Sequence, residues 1–176
     1  MSSLWEQLMR YTPAALALSL LAAVTASVSI SAPPVPLDAR AAVLVAEGRK
    51  ALVAGDADAA IDAYEAALVI QPGHTAILLN LAEATRKQGM QGKALRYYRE
   101  VLEGDPVNVY AISGEGLALV EKGAVDRARR NLARLEQICG DGCAPAKALA
   151  AAIQQGPAPQ MVSAEAVQAK PVVTTN

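Results

Sequence analysis

A chain of 176 residues with a formal charge of -1, 3% aromatic residues and no Phe has room for one modest domain. Its wealth of Ala and Leu favours helices and argues against a barrel or a sandwich. The near-zero charge removes any global electrostatic case for a nucleic-acid partner, and no zinc-finger or RNA-binding motif is present.

From Arg10 to Asp38 the intervening residues carry no charge, and Ala14 to Ile30 is apolar with interspersed Ser and Thr. As a spanning helix that stretch would run about 25 Å, short of the roughly 30 Å hydrocarbon core of a bilayer. Residues 1–31 are therefore expected to be a signal peptide, cut after Val24-Thr25-Ala26, or an uncleaved amino-terminal membrane anchor. Arg10 set against Glu6 is a weak positive start, so both readings stay open, with a cytosolic domain as a third. No Cys follows the apolar run, which excludes lipid attachment there. Residues 32–40 open on Ala32-Pro33-Pro34-Val35-Pro36, a stiff extended linker in which the prolines forbid helix.

The next hundred or so residues are periodic. Gly55, Gly89 and Gly123 stand 34 residues apart, and Ala60, Ala94 and Ala128 repeat the spacing in the same register. Leu44, Leu78 and Ile112 align, as do Gly48, Ala82 and Gly116, and then Tyr64, Tyr98 and Leu132. Pro72 and Pro106 close the first two units. This period marks a stacked helix-turn-helix array with units at 41–74, 75–108 and 109–142. Small residues at 48, 82 and 116 and at 60, 94 and 128 let paired helices approach closely, and the tyrosines are expected to fill space toward the neighbouring unit. The glycines at 55, 89 and 123 are expected to end each first helix in a left-handed turn.

Three units leave one apolar face to cover, and Ala144 to Gln155, with Leu149 and Ile153 at helical spacing and Pro145 near its start, suits a capping helix over 144–155. Residues 156–176, with three prolines and little charge, are expected to be a disordered tail. Between the last unit and the cap lies Cys139-Gly140-Asp141-Gly142-Cys143. In an exported protein the simplest use of that pair is a disulfide fastening the last repeat helix to the cap, with free thiols and a redox or metal role as the other readings. Arg127, Arg130 and Arg134, with Arg129 beside them, read as a solvated outer face relieved by Asp126 and Glu136. His74 is the one histidine and has no Ser, Cys or acid constellation around it, so no hydrolytic or metal chemistry is visible and no cofactor is expected.

The layout resembles the tetratricopeptide repeat. The matching positions are Leu44, Gly48, Ala60, Tyr64, Ala67 and Pro72 in unit one, Leu78, Leu81, Ala82, Ala94, Tyr98 and Pro106 in unit two, and Ile112, Gly116, Leu119 and Ala128 in unit three. Unit three departs from the pattern at Leu132, Leu135 and Gly140, which suggests a second helix that packs differently or ends early. The resemblance implies an all-α solenoid of three repeats and a cap over 41–155 that binds a peptide or protein segment in its groove rather than acting as an enzyme. Carried over position by position, the inner face takes Ala42, Val45, Ala46, Arg49 and Val53 from unit one, then Ala76, Leu79, Asn80, Glu83 and Lys87, then Tyr110, Ser113, Gly114, Leu117 and Glu121. Arg49, Leu79, Asn80, Glu83, Lys87, Tyr110 and Leu117 are the contact residues it nominates, with Asn80 gripping a peptide backbone. The family's two-lysine clamp for a terminal carboxylate is absent, since Val45, Tyr110 and Gly114 hold three of its positions.

With the leader and the cysteine pair, the chain is similar to small exported bacterial tetratricopeptide proteins, including those that accompany Flp-type pilus assembly. The expectation is a periplasmic or cell-envelope scaffold whose partner is a segment of an envelope protein. The alternative is an inner-membrane-anchored organiser that self-associates and touches the membrane only through an uncleaved first segment.

Overall fold

The computed structural model describes residues 35–157, and every described helix is α-helical. The predicted leader, the first part of the linker and all but the first two residues of the predicted tail lie outside the described residues. Among the described residues seven helices follow one another: α1 (Ala39–Val53), α2 (Ala57–Ile70), α3 (Thr75–Lys87), α4 (Gln91–Gly104), α5 (Val109–Glu121), α6 (Val125–Cys139) and α7 (Ala144–Gln155). None of them is long and apolar enough to cross a membrane.

Local chemistry sets the helix ends. The Asp38 carboxylate accepts from the backbone N–H of Arg40 at 2.9 Å and of Ala41 at 3.4 Å, Asp56 from Ala59 at 2.9 Å, and Asn108 from Ala111 at 3.0 Å. Each occupies donors that the first turn cannot satisfy itself. The backbone N–H groups at Arg40 and then Ala41 also hold the Asp38 carboxyl below its usual range. The turns inside the three pairs are copies of one motif. Gly55, Gly89 and Gly123 sit at φ 84°, 87° and 78°, where a side chain would be strained. The residue after each glycine donates back over the last helical turn: Asp56 to Ala51 at 3.0 Å, Met90 to Thr85 at 2.9 Å and Ala124 to Leu119 at 2.8 Å.

Each helix packs on its sequence neighbours. In addition the backbones of α1 and α3, and of α3 and α5, come close, whereas those of α2, α4 and α6 do not approach one another. The first helices therefore stand closer together and form the inner side of a curved stack. α7 packs on both α5 and α6, where the first helix of a further unit would go. The buried residues fall into one cluster spanning units one and two, around Tyr64, Ile77 and Leu81, and another joining unit three to α7, around Ile112, Leu119, Leu135 and Leu149.

One feature of the packing differs from expectation. The second helix of unit three does not end early: α6 runs 15 residues and buries Leu135 fully, and a positive-φ glycine, Gly140 at φ 77°, ends it where proline follows the other units. Tyr64 is fully buried in the cluster that spans units one and two. Its ring covers Gly48 of its own unit, where a Cβ would come within 2.5 Å of the ring. Gly116, in the same repeat column, is covered instead by Leu149 of the cap, again at 2.5 Å. At the entry to the array, the side chain of Gln71 accepts from the Asp38 N–H at 2.9 Å and donates to the Pro36 carbonyl at 3.0 Å, holding the segment before α1 against the end of α2.

Candidate peptide groove

On the inner side, where α3, α5 and α7 converge, lies an open pocket of about 340 Å³. Leu79 and Glu83 come from α3, Tyr98 from α4, Tyr110, Ser113, Gly114 and Leu117 from α5, and Ala144, Pro145 and Ala148 from the cap. Four of the seven nominated contact residues, Leu79, Glu83, Tyr110 and Leu117, thus meet in one place. They do so because the 3.6-residue period puts 79 with 83 on one face of α3, and 110 with 117 on one face of α5.

The other three stand apart from it. Arg49 is exposed on α1. Lys87 is exposed too, with its Nζ 3.9 Å from a Glu83 oxygen. Asn80 is half-buried, and its amide donates to the Ala76 carbonyl of its own helix at 2.7 Å, so that donor is already engaged. Val45, assigned by the resemblance to the inner face, is buried in the core, because it lies on the face of α1 that Ala41 and Gly48 also bury. Ser113 and Gly114 are buried yet still line the pocket, which reaches down to the α5 backbone.

The floor depends on one close approach. Gly114 lacks a side chain, and the Tyr98 ring takes that space: a Cβ at 114 would lie 2.3 Å from it. The Tyr98 hydroxyl then donates to Glu83 Oε2 at 3.2 Å. Burial, helped by the Glu83 charge, pushes this phenol well above its usual range. Arg86 reaches Glu83 from beside it, with Nη2 2.8 Å from Oε1 and Nε 3.0 Å from Oε2, and also pairs with Glu121 of α5. Burial opposes the charge of this guanidinium, but the hydrogen bond and charge of Glu83, followed by the charge of Glu121, outweigh it and keep Arg86 firmly protonated. The Ser113 hydroxyl donates to the Pro145 carbonyl at 2.9 Å and fastens the start of α7 to the pocket wall.

Sequence reasoning took Tyr98 as core and 144–148 as cap, and so missed both as lining. The cap's role was the harder to see, since it lies outside the repeat. Cys139 and Cys143 are joined by a disulfide across the turn into α7. On α6, Arg127, Arg129 and Arg130 are exposed, Arg129 pairs with Asp126 at 2.7 Å, and Arg134 donates to the Pro106 carbonyl. His74 sits half-buried at the start of α3. Among the described residues, no group of three or more His, Cys, Asp or Glu side chains is placed to hold a metal ion.

Paired helices, left-handed glycine turns and a capping helix make this the tetratricopeptide fold, and solved structures agree. The tetratricopeptide domain of Sgt2 from Aspergillus fumigatus superposes with a TM-score of 0.61 at 26% identity, over 67% of this chain and 80% of that one. The first such domain of Spaghetti (RPAP3), solved bound to the HSP90 peptide SRMEEVD, gives 0.59 at 22% identity over 68% and 94%. The TPR2B domain of yeast Sti1, in its complex with pHsp70, gives 0.59 at 20% identity over 67% and 98%. No protein-family model and no curated protein matches the sequence.

Proposed function

We propose that this chain is a non-catalytic interaction module that holds a peptide or protein segment along the inner side of its array. Arg49, Leu79, Asn80, Glu83, Lys87, Tyr110 and Leu117 form its contact surface, and assembly or scaffolding in a bacterial cell envelope is the task. The observation that carries the reading is the apolar pocket between α3, α5 and α7, in a fold whose structurally similar domains were solved with the HSP90 peptide and with pHsp70. Burying one or two apolar side chains there supplies affinity without demanding a large interface.

The envelope assignment rests on the uncharged run before Asp38 and on the cysteine pair, which suits an oxidising compartment. Pilus or secretion assembly is the narrower role. Two measurements address the compartment. A thiol count on denatured, unreduced protein from the envelope is expected to find none, and two free thiols would count against export. Amino-terminal sequencing is expected to start near Ser27, whereas a start at Met1 or Ser2 favours the anchored organiser.

For the groove, the test is capture of partners from envelope extract by wild type and by a Leu79→Ala, Leu117→Ala double variant with unchanged helical content. The variant is expected to lose partners that wild type retains; identical partner sets would defeat the groove assignment.

A further inference from the structure

The chemistry of the pocket lining selects among the segments a groove could hold. Leu79, Leu117 and Ala148 give aliphatic walls, Tyr98 an aromatic one, and Tyr110, 68% exposed, an aromatic rim. Among the described residues Glu83 is the one charged residue of the lining, which holds no Lys, Arg or His. Its carboxylate is filled by Arg86 and the Tyr98 hydroxyl, with Lys87 Nζ 3.9 Å away outside the lining, and Arg86 is divided between Glu83 and Glu121. A carboxylate entering this space would shed water beside a Glu83 whose charge is already paired, with no cation among the described lining residues to receive it. An apolar side chain meets no such penalty and gains from leaving water. A volume of about 340 Å³ lies at the small end of ligand sites and suits one large side chain with its adjoining backbone.

We infer that the pocket is the anchor site for an internal segment of a second protein. It takes one aromatic or branched aliphatic side chain whose immediate flanks carry no carboxylate, and it rejects a free carboxyl terminus. The inference rests on the groove reading above and adds the partner's chemistry to it. A folded second copy would need a far larger matching surface to bind stably, whereas an extended chain delivers a single side chain into a space of this size.

The test is a methyl NMR titration of the full chain with three nine-residue Gly/Ser probe peptides. One carries a central Phe, one a carboxyl-terminal Phe with a free acid, and one the same terminal Phe amidated. The central-Phe and amidated probes are expected to shift the methyl groups of Leu79, Leu117 and Ala148, and the free acid to bind at least about tenfold more weakly. Leu117→Ala, with its helical signal unchanged, should weaken the central-Phe probe by about tenfold, while Glu83→Gln should narrow the gap between acid and amide. A free acid that binds as well as the amide overturns the proposal. So do probes that leave those three methyl groups unmoved, and methyl shifts that change on dilution without peptide, which would make a second copy the occupant. If the probes fail but the double variant still loses its envelope partners, the anchor chemistry falls and the groove reading stands.

Discussion

Tyr64 and Tyr98 occupy the same column of the repeat, 34 residues apart, yet they do different work. Tyr64 is fully buried in the core shared by units one and two with its ring over Gly48, and its hydroxyl is buried without a hydrogen-bond partner among the described residues. Tyr98 leans onto Gly114 of the next unit, gives its hydroxyl to Glu83 and floors the pocket. The column sets the residue type; the glycine opposite decides whether the ring closes a core or builds a site.

Substitutions at the two glycines should separate these roles most strongly. Gly114→Ala forces a Cβ into the Tyr98 ring and is expected to cost about 2–3 kcal/mol and to abolish probe binding, measured by urea unfolding and by the NMR titration. Gly48→Ala should cost a similar amount while a folded fraction still binds, and loss of binding there would collapse the distinction. Next in size, Tyr98→Phe removes a hydrogen bond to a carboxylate and should cost about 1–2 kcal/mol in urea unfolding. Tyr64→Phe removes only an unpaired buried hydroxyl and should fall within about 0.5 kcal/mol of wild type or be slightly stabilising. A larger cost for Tyr64→Phe than for Tyr98→Phe would reverse the comparison.

The smallest effect is in pH dependence. Both phenols are raised in the folded state, chiefly by burial, so the stability they contribute is complete below the unfolded value of about 10 and is lost as pH rises through their folded values. Unfolding free energy followed from pH 8 to 11 should therefore be flat at first and then fall. Tyr98→Phe should reduce the slope by one proton's worth.

Much of the fold is legible in the sequence because it repeats. The glycines at 55, 89 and 123 announce identical turns, and the small columns announce close helix pairs. What escapes is whatever occurs once. Gly114 shares its column with Ala46 and Asn80, so no periodic signal marks it as the seat for Tyr98. Ala144, Pro145 and Ala148 form a pocket wall only because the cap lies against α5, a tertiary fact with no trace in the spacing. Asn80 stands where the resemblance implies an amide that grips a peptide backbone, and a local hydrogen bond to Ala76 competes for its donor. Leu135 stands in the column of Ala67 and Val101, and this larger side chain is still fully buried while α6 runs its full length.

The helix-by-helix contact pattern carries a consequence for opening motions. No pocket residue comes from α1 or α2, and the backbones of those helices meet the rest of the array at α3, with a Lys93–Glu65 ion pair reaching α4. In a stack held by neighbour contacts, the first pair can open while the later units stay folded. Amide hydrogens of α1 and α2 should then exchange through a cheaper opening than those of α5, and the pocket should outlast the loss of the first unit.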